Sequence, residues 1–360
     1  MNRKKILICC QSQFGYHIDT YYYSKYLKNE FQVTYVCWDY NKEKHKIDGV
    51  DVHYVSRSGN IFLRNIRYLN FLLCLIRKEN FDFTFIKYFK FCFILSLLSG
   101  NTKFIFDIRT AAVNENFFIR ICEDLLLKFE AKFFSRKTII SKSLAQKLGL
   151  KEDEIFILPL GADPISAKKN TIANIDCNKI NLIYVGTFIG RNIQNTILGL
   201  KIFSDRNPEY KISYTIIGSG RRGEIEAIEN VIEKSNLRQF VKMLGFIPHR
   251  ELNQHFLESD VGVAYVPITD YYNVQPSTKV YEYVVSKIPV IATKTTENIN
   301  VLDASFGVLT GDRPADFAEG IQTIVKKINE GKIYFDEQTI SKFHWDNVVG
   351  ELIKYLRLNE

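Results

Sequence analysis

Residues 270–283 read DYYNVQPSTKVYEY, a polar loop that runs into a helix at Ser277. The unpaired amides of a helix's first turn and the positive end of its dipole favour an anion, so this segment is a ready phosphate site. The Ser277 hydroxyl is placed to cap those amides. Lys279 in the first turn adds a point charge suited to a diphosphate. Glu282 follows at the i,i+3 spacing that puts it on the same side of the helix as Lys279. A carboxylate there can accept two hydroxyl hydrogen bonds from a ribose. The same residues also satisfy a plainer arrangement, a capped surface helix on which Lys279 and Glu282 form a minor ion pair.

The first half holds a second set of candidates. In QSQFGYHI, 11–18, Gly15 lets backbone amides approach a diphosphate closely, and His17 is a polar contact for a substrate or a structural group at a helix start. FIFDIR, 104–109, puts Asp107 and Arg109 at the end of a strand. Asp107 and Glu115 are the first-half carboxylates best placed to orient an acceptor hydroxyl. A purely structural Asp107–Arg109 pair is the alternative. Gly218 and Gly220, beside Arg221 and Arg222, form a glycine turn that serves either a nucleotide base or the chain reversal alone.

These residues sit in a repeating pattern of short apolar runs and amphipathic segments. Strands are expected at 5–10, 31–38, 50–55, 81–86, 104–108 and 138–141, with helices at 19–28, 61–78 and 117–134. The polar stretch 163–179 then intervenes, and the pattern restarts. Strands at 181–185, 214–217, 241–244, 261–265, 290–292 and 307–309 alternate with helices at 194–205, 224–236, 277–286 and 314–330. The fold class is therefore α/β, two consecutive doubly wound domains with ligands at the carboxyl ends of the strands. The boundaries are 1–163 for the first domain, 164–179 for a linker, 180–342 for the second domain and 343–360 for a closing helix. A length of 360 residues suits two domains of about 100 to 200 residues each.

With 46% hydrophobic and 24% charged residues the composition is that of a globular protein. Seven cysteines without a CxxC pair indicate neither a disulfide framework nor a zinc site, and no metal is expected. The apolar run at the N-terminus is too short for a signal peptide, and the longest apolar stretch, 91–98, falls well below the roughly 20 residues of a spanning helix. A cytoplasmic location is expected. Charge is uneven: residues 1–165 carry 25 Lys and Arg against 17 Asp and Glu, whereas residues 166–360 carry 23 of each. An anionic partner for the first half follows. Nucleic acid would need a recognition motif, and none is found. The basic, aromatic segments 61–78, 87–99 and 117–137 point instead to an anionic membrane surface at its inner face, with amphipathic core helices as the alternative.

Several motifs in order resemble glycosyltransferase family 4: LPLGAD at 158–163, LIYVGTF at 182–188, YTIIGSG at 214–220, VKMLGFIPHRELNQHFLESDVGVAYVP at 241–267, PSTKVYEYVVSKIPVIAT at 276–293 and FHWDNVVGELIKYL at 343–356. The resemblance implies the GT-B fold of two facing Rossmann-like domains and a retaining transfer from a nucleotide-sugar donor to a glycan or lipid-linked acceptor, as in bacterial surface polysaccharide assembly. It implies that Glu282, matching the second glutamate of the family's paired motif, binds the ribose. The first glutamate would stand at 274, where this chain has Val274. Gly186 and Arg191 match the loop whose basic residues reach the donor diphosphate. Backbone amides around Gln275, Ser277 and Thr278 complete the diphosphate contacts. Arg109 falls where the family commonly carries a histidine against the transferred sugar. No cofactor is implied. Two rival readings stand beside this one: a catalytically impaired partner subunit, for which Val274 speaks, and a nucleotide-sugar 2-epimerase, for which the second domain lacks an acid–base cluster.

Overall fold

A computed structural model describes residues 3–100, 102–114, 116–166 and 178–358. Glu115 and most of the expected linker lie outside the described residues. The chain forms two compact units, one of residues 1–160 with 345–360 and the other of residues 161–344.

The N-terminal unit is built on β1 (Lys5–Cys9), β2 (Gln32–Asp39), β3 (Val50–Ser56), β4 (Phe83–Lys87), β5 (Phe104–Ile108), β6 (Arg136–Ile139) and β7 (Ile155–Ile157). All neighbours pair in parallel, in the order β3-β2-β1-β4-β5-β6-β7. Parallel strands are covered on both faces, which is why β1, β2 and β5 are nearly continuous apolar runs rather than alternating ones. The crossovers are α1 (Ile18–Leu27), α2 (Ile61–Glu79), α3 (Phe93–Leu98), α4 (Phe117–Ala131) and α5 (Lys142–Leu148).

The C-terminal unit repeats the plan with β8 (Lys179–Thr187), β9 (Lys211–Ser219), β10 (Val241–Gly245), β11 (Val261–Ala264), β12 (Val290–Thr293) and β13 (Gly307–Thr310), ordered β10-β9-β8-β11-β12-β13, all parallel. Its helices are α6 (Gln194–Arg206), α7 (Arg222–Lys234), α8 (Asn253–Leu257), α9 (Thr278–Val285), α10 (Thr296–Val301), α11 (Pro314–Asn329) and α12 (Glu337–Ser341). The final helix, α13 (Trp345–Leu358), belongs to the N-terminal unit. There Trp345 stacks on Tyr22, and Val348, Val349, Leu352 and Leu356 enter the same core cluster as Ile6, Phe14 and Tyr35. Fully burying a side chain of that size contributes roughly 1.5–3 kcal/mol.

The α/β expectation holds for both halves, and most strands and long helices fall within a few residues of their expected bounds. Two corrections concern short elements. The strand expected at 138–141 ends at Ile139, because Ser141 is already the N-cap of α5 and accepts the Leu144 amide at 3.2 Å. The segment 87–99 is not one amphipathic helix. It comprises the last residue of β4, a turn with Phe91 at φ 70°, and the six-residue α3. Among the described residues no helix is long and apolar enough to cross a membrane.

Candidate functional site

In each sheet the strand order reverses at one place, and the loops leaving the two flanking strands define the natural ligand position. For the C-terminal unit the reversal falls between β8 and β11. The loop after β8 carries Arg191, and the loop after β11 runs through residues 265–277 into α9.

The structure brings these loops together. The Arg191 guanidinium lies 4.2 Å above the Tyr272 ring, a cation–π contact that spares its hydrogen-bond donors, and no carboxylate pairs with it among the described residues. Gly186 closes β8 in register with Gly218 on β9. A Cβ on Gly218 would meet the Gly186 carbonyl oxygen at 1.8 Å, so the glycine is required for the strands to approach as they do. The 265–277 loop is pinned along its length. The Val266 amide donates to the Thr293 hydroxyl at 2.8 Å, the Ile268 amide to Asp312 at 2.9 Å, and Asn273 accepts the Thr296 amide at 2.9 Å. Val274 and Gln275 are half-buried in this loop.

At the head of α9, Ser277 has the extended backbone of an N-cap, but its hydroxyl makes no capping bond, contrary to the sequence expectation. Among the described residues the amides of Thr278 and Lys279 likewise have no acceptor. The first turn is therefore left open to an incoming anion. Lys279 and Glu282 form an ion pair, with side-chain exposures of 18% and 6%. His249, in the turn after β10, places Nε2 3.8 Å from the other Glu282 oxygen. Burial pushes the Glu282 carboxyl up, but Lys279 and His249 outweigh it and hold the group below the usual glutamate range. Glu282 is thus ionised at neutral pH. His249 stands in the segment FIPHREL, 246–252, whose sequence gives no sign of this contact. Its contact with Glu282 joins residues 33 positions apart, a relation only the fold creates.

In the N-terminal unit the sequence-derived residues divide. Gly15 has φ 90°, a left-handed conformation that favours glycine, and a Cβ there would meet the His45 ring at 2.3 Å. His17 is the N-cap of α1, where its Nδ1 accepts from the Thr20 amide at 3.4 Å. Burial, with Lys87 and Arg109 nearby, overcomes the attraction of Asp19 and lowers its pKa to about 4. Asp107 and Arg109 are both buried. Arg109 Nε donates to Asp19 at 2.6 Å and Nη1 to the Leu158 carbonyl at 2.6 Å, while Asp107 Oδ1 accepts from Thr138 at 2.7 Å and stands 3.8 Å from Arg109. Burial pushes Asp107 up to about 6 despite Arg109. Arg109 is committed to tying β5 to α1 and to the end of β7, so its arrangement is that of an internal brace. Asp19, the strongest partner of Arg109, lies 90 residues away in sequence, and no local spacing pointed to it. Among the described residues no cluster of His, Cys, Asp and Glu could hold a metal ion.

Two seven- and six-stranded parallel α/β units are the architecture of the GT-B enzymes. The structure resembles sucrose-phosphate synthase from Thermosynechococcus elongatus, with a TM-score of 0.77 at 15% identity over 99% of this chain and 100% of that one. It also resembles Anabaena HepE in complex with UDP and glucose, with a TM-score of 0.73 at 13% identity over 99% and 100% of the two chains. WaaG, a glycosyltransferase involved in lipopolysaccharide biosynthesis, gives 0.70 at 13% identity over 98% and 99%. No curated protein matches the sequence. Residues 179–327 match the family model described as glycosyl transferases group 1. The chain has the GT-B fold, and its C-terminal unit carries the match to a group 1 glycosyltransferase domain.

The lowered pKa of His17 has a direct consequence. Its imidazole, capping α1 as the neutral form, titrates near pH 4 in an NMR titration of the ring carbon signals. Because the folded pKa lies below that of a free histidine, about 6.5, the unfolded chain binds the proton first. Stability is full above that value and falls as pH drops towards 4. A midpoint at 6.5 would remove the neutral cap.

Proposed function

We propose that this transferase binds a nucleotide-sugar through its C-terminal unit and transfers the sugar, with retention of configuration, to a glycan or lipid-linked acceptor of a bacterial surface polysaccharide. The observation that carries the donor assignment is the open first turn of α9 beside the buried Lys279–Glu282 pair. Solved structures of similar fold contain UDP and UDP-glucose, which supports a nucleoside diphosphate as the group recognised.

In this reading the diphosphate lies against the amides of Ser277, Thr278 and Lys279, with Gln275 alongside and Gly186 allowing the β8 loop to come close. Arg191 completes the cradle with a planar fork that bonds phosphate oxygens in pairs. Glu282 accepts the ribose hydroxyls. Lys279 then serves two anions, Glu282 at rest and the diphosphate as it gains charge on leaving. A preorganised set of donors at the leaving group stabilises the transition state without reorganisation. The donor phosphate takes the proton of the incoming hydroxyl, and neither metal nor cofactor is required. Val274, where the family pattern has a carboxylate, leaves the donor sugar without that contact. The impaired-subunit reading draws on the same residue.

Attachment to the inner face of a membrane is the second part of the proposal. One side of α4 turns Phe117, Phe118, Ile121, Leu125 and Phe129 to solvent, with Phe118 76% exposed. Lys128 and Lys132 accompany them. The acidic residues of α4 are occupied elsewhere. Glu123 pairs with Lys90 at 2.7 Å, Asp124 accepts the Ala112 amide at 2.8 Å, and Glu130 is buried against the amides of Phe91 and Phe93. An apolar face accompanied by Lys128 and Lys132, its described acids engaged elsewhere, suits an anionic leaflet.

Replacing Glu282 with Gln, which keeps the shape and removes the charge, lowers UDP affinity by about tenfold, roughly 1.4 kcal/mol, in isothermal titration. Unchanged affinity would take Glu282 out of the nucleotide site. The protein sediments with phosphatidylglycerol vesicles and not with phosphatidylcholine vesicles, and Phe118→Glu with Leu125→Glu abolishes this. Equal sedimentation of wild type and variant would refute the membrane face.

A further inference from the structure

The carboxyl ends of β2 and β3 hold a cluster of cations and aromatic rings that neither the fold nor the donor site uses. Arg57, just past β3, places its guanidinium carbon 3.9 Å above the Tyr40 ring and 5.3 Å from the Trp38 ring. Arg64, in the first turn of α2, lies 5.4 Å from the same indole. Lys42 stands 4.6 Å over Tyr16. Among the described residues none of these three cations has a carboxylate partner. Asp39, the acid next to Trp38 in sequence, is held by the Asn41 amide at 2.8 Å and by Lys44 at 3.2 Å.

Two guanidinium groups against one indole repel each other unless an anion joins them. The hydrogen-bond ledger makes the same point. Trp38 is 6% exposed and its Nε1 has no acceptor, and the Nε atoms of Arg57 and Arg64 are buried without one. Buried donors are ordinarily satisfied, so three in one cluster mark a missing acceptor. The surroundings are fixed in advance. Gln13, itself fully buried, receives the Tyr40 and Lys42 amides at 2.8 and 3.3 Å and donates to the Lys42 and Glu43 carbonyls at 2.9 and 3.1 Å. Position 15 is a glycine packed on His45 in the same loop. A segment clamped this firmly, and lined with paired forks and flat rings, is built to receive something planar-faced and anionic.

We propose that Trp38, Tyr40, Arg57 and Arg64 bind a phosphate ester carried beside a sugar ring. The two arginines and the Trp38 indole N–H take the phosphate oxygens, and the exposed side of Tyr40 borders the ring. Identifying this ligand as the acceptor rests on the transferase reading above. The shared chemistry has two sources, a soluble sugar phosphate or a sugar held on a lipid diphosphate.

The test is isothermal titration of the full chain with UDP present at saturation, so that the donor site is filled. Glucose 1-phosphate is one probe, and glucose carried on a short-chain prenyl diphosphate in detergent micelles is the other. Binding of either probe, weakened at least tenfold by Arg57→Ala or Arg64→Ala and severalfold by Trp38→Phe, supports the site. The tighter probe identifies the source. Arg57→Lys and Arg64→Lys, which keep the cation and lose the planar fork, decide between binding and packing: binding weakens while the melting temperature is unchanged. Failure of both probes to bind, equal binding by the variants, or a lowered melting temperature with binding intact overturns the inference. UDP binding by the wild-type protein, measured separately, reports on the transferase reading alone, so the two fail independently.

Discussion

All the strands of both sheets run parallel, and this constraint organises everything else in the molecule. Parallel strands deliver their carboxyl ends to one edge, and the reversal of strand order at β8 and β11 leaves two neighbouring loops without a crossover between them. Into that opening the chain places Arg191 from one side and the 265–277 loop from the other. The first-turn amides of α9 are unpaired for a local reason. Among the described residues the Ser277 hydroxyl makes no capping bond, and the Asn273 side-chain oxygen is taken by the Thr296 amide, which leaves Thr278 and Lys279 uncapped.

Two buried ion pairs show how context decides what a charge does. Lys279 and Glu282 are both largely buried, yet they meet at an open helix end with His249 beside them, where Lys279 can turn to an incoming anion. Arg109 is also buried and also paired, but its bonds run to Asp19, Leu158 and the vicinity of Asp107, on three different elements. Removing one partner from such a brace leaves a buried charge uncompensated, a loss of about 3–5 kcal/mol. The first pair is suited to exchange and the second to rigidity. Trp38 and its arginines represent a third condition, cations with aromatic support and no anion.

The extent to which these features were legible follows the range of the interactions. β5 was readable to the residue, because a fully buried parallel strand writes itself as a continuous apolar run. α9 and its Lys279–Glu282 pair were readable because i,i+3 contacts are local. The short α3 and β7 were not, since six and three residues give no periodic signal above their neighbours. Ser277 was assigned a capping bond from its position alone, whereas the side chain's rotamer is set by the loop around it. Asp19 with Arg109, His249 with Glu282, and Arg57 with Tyr40 were beyond reach for the same reason. Each pair is joined by packing between different elements, 17 to 90 positions apart in the chain, and no spacing rule connects them.

The central claim is that the open first turn of α9 receives the donor's diphosphate. Backbone amide NMR of the full chain titrated with UDP tests it most directly. The amides of Thr278 and Lys279 should show the largest downfield shifts, as each gains an acceptor, together with the side-chain signal of Arg191. Saturable UDP binding that leaves Thr278, Lys279 and Arg191 unperturbed would contradict the account.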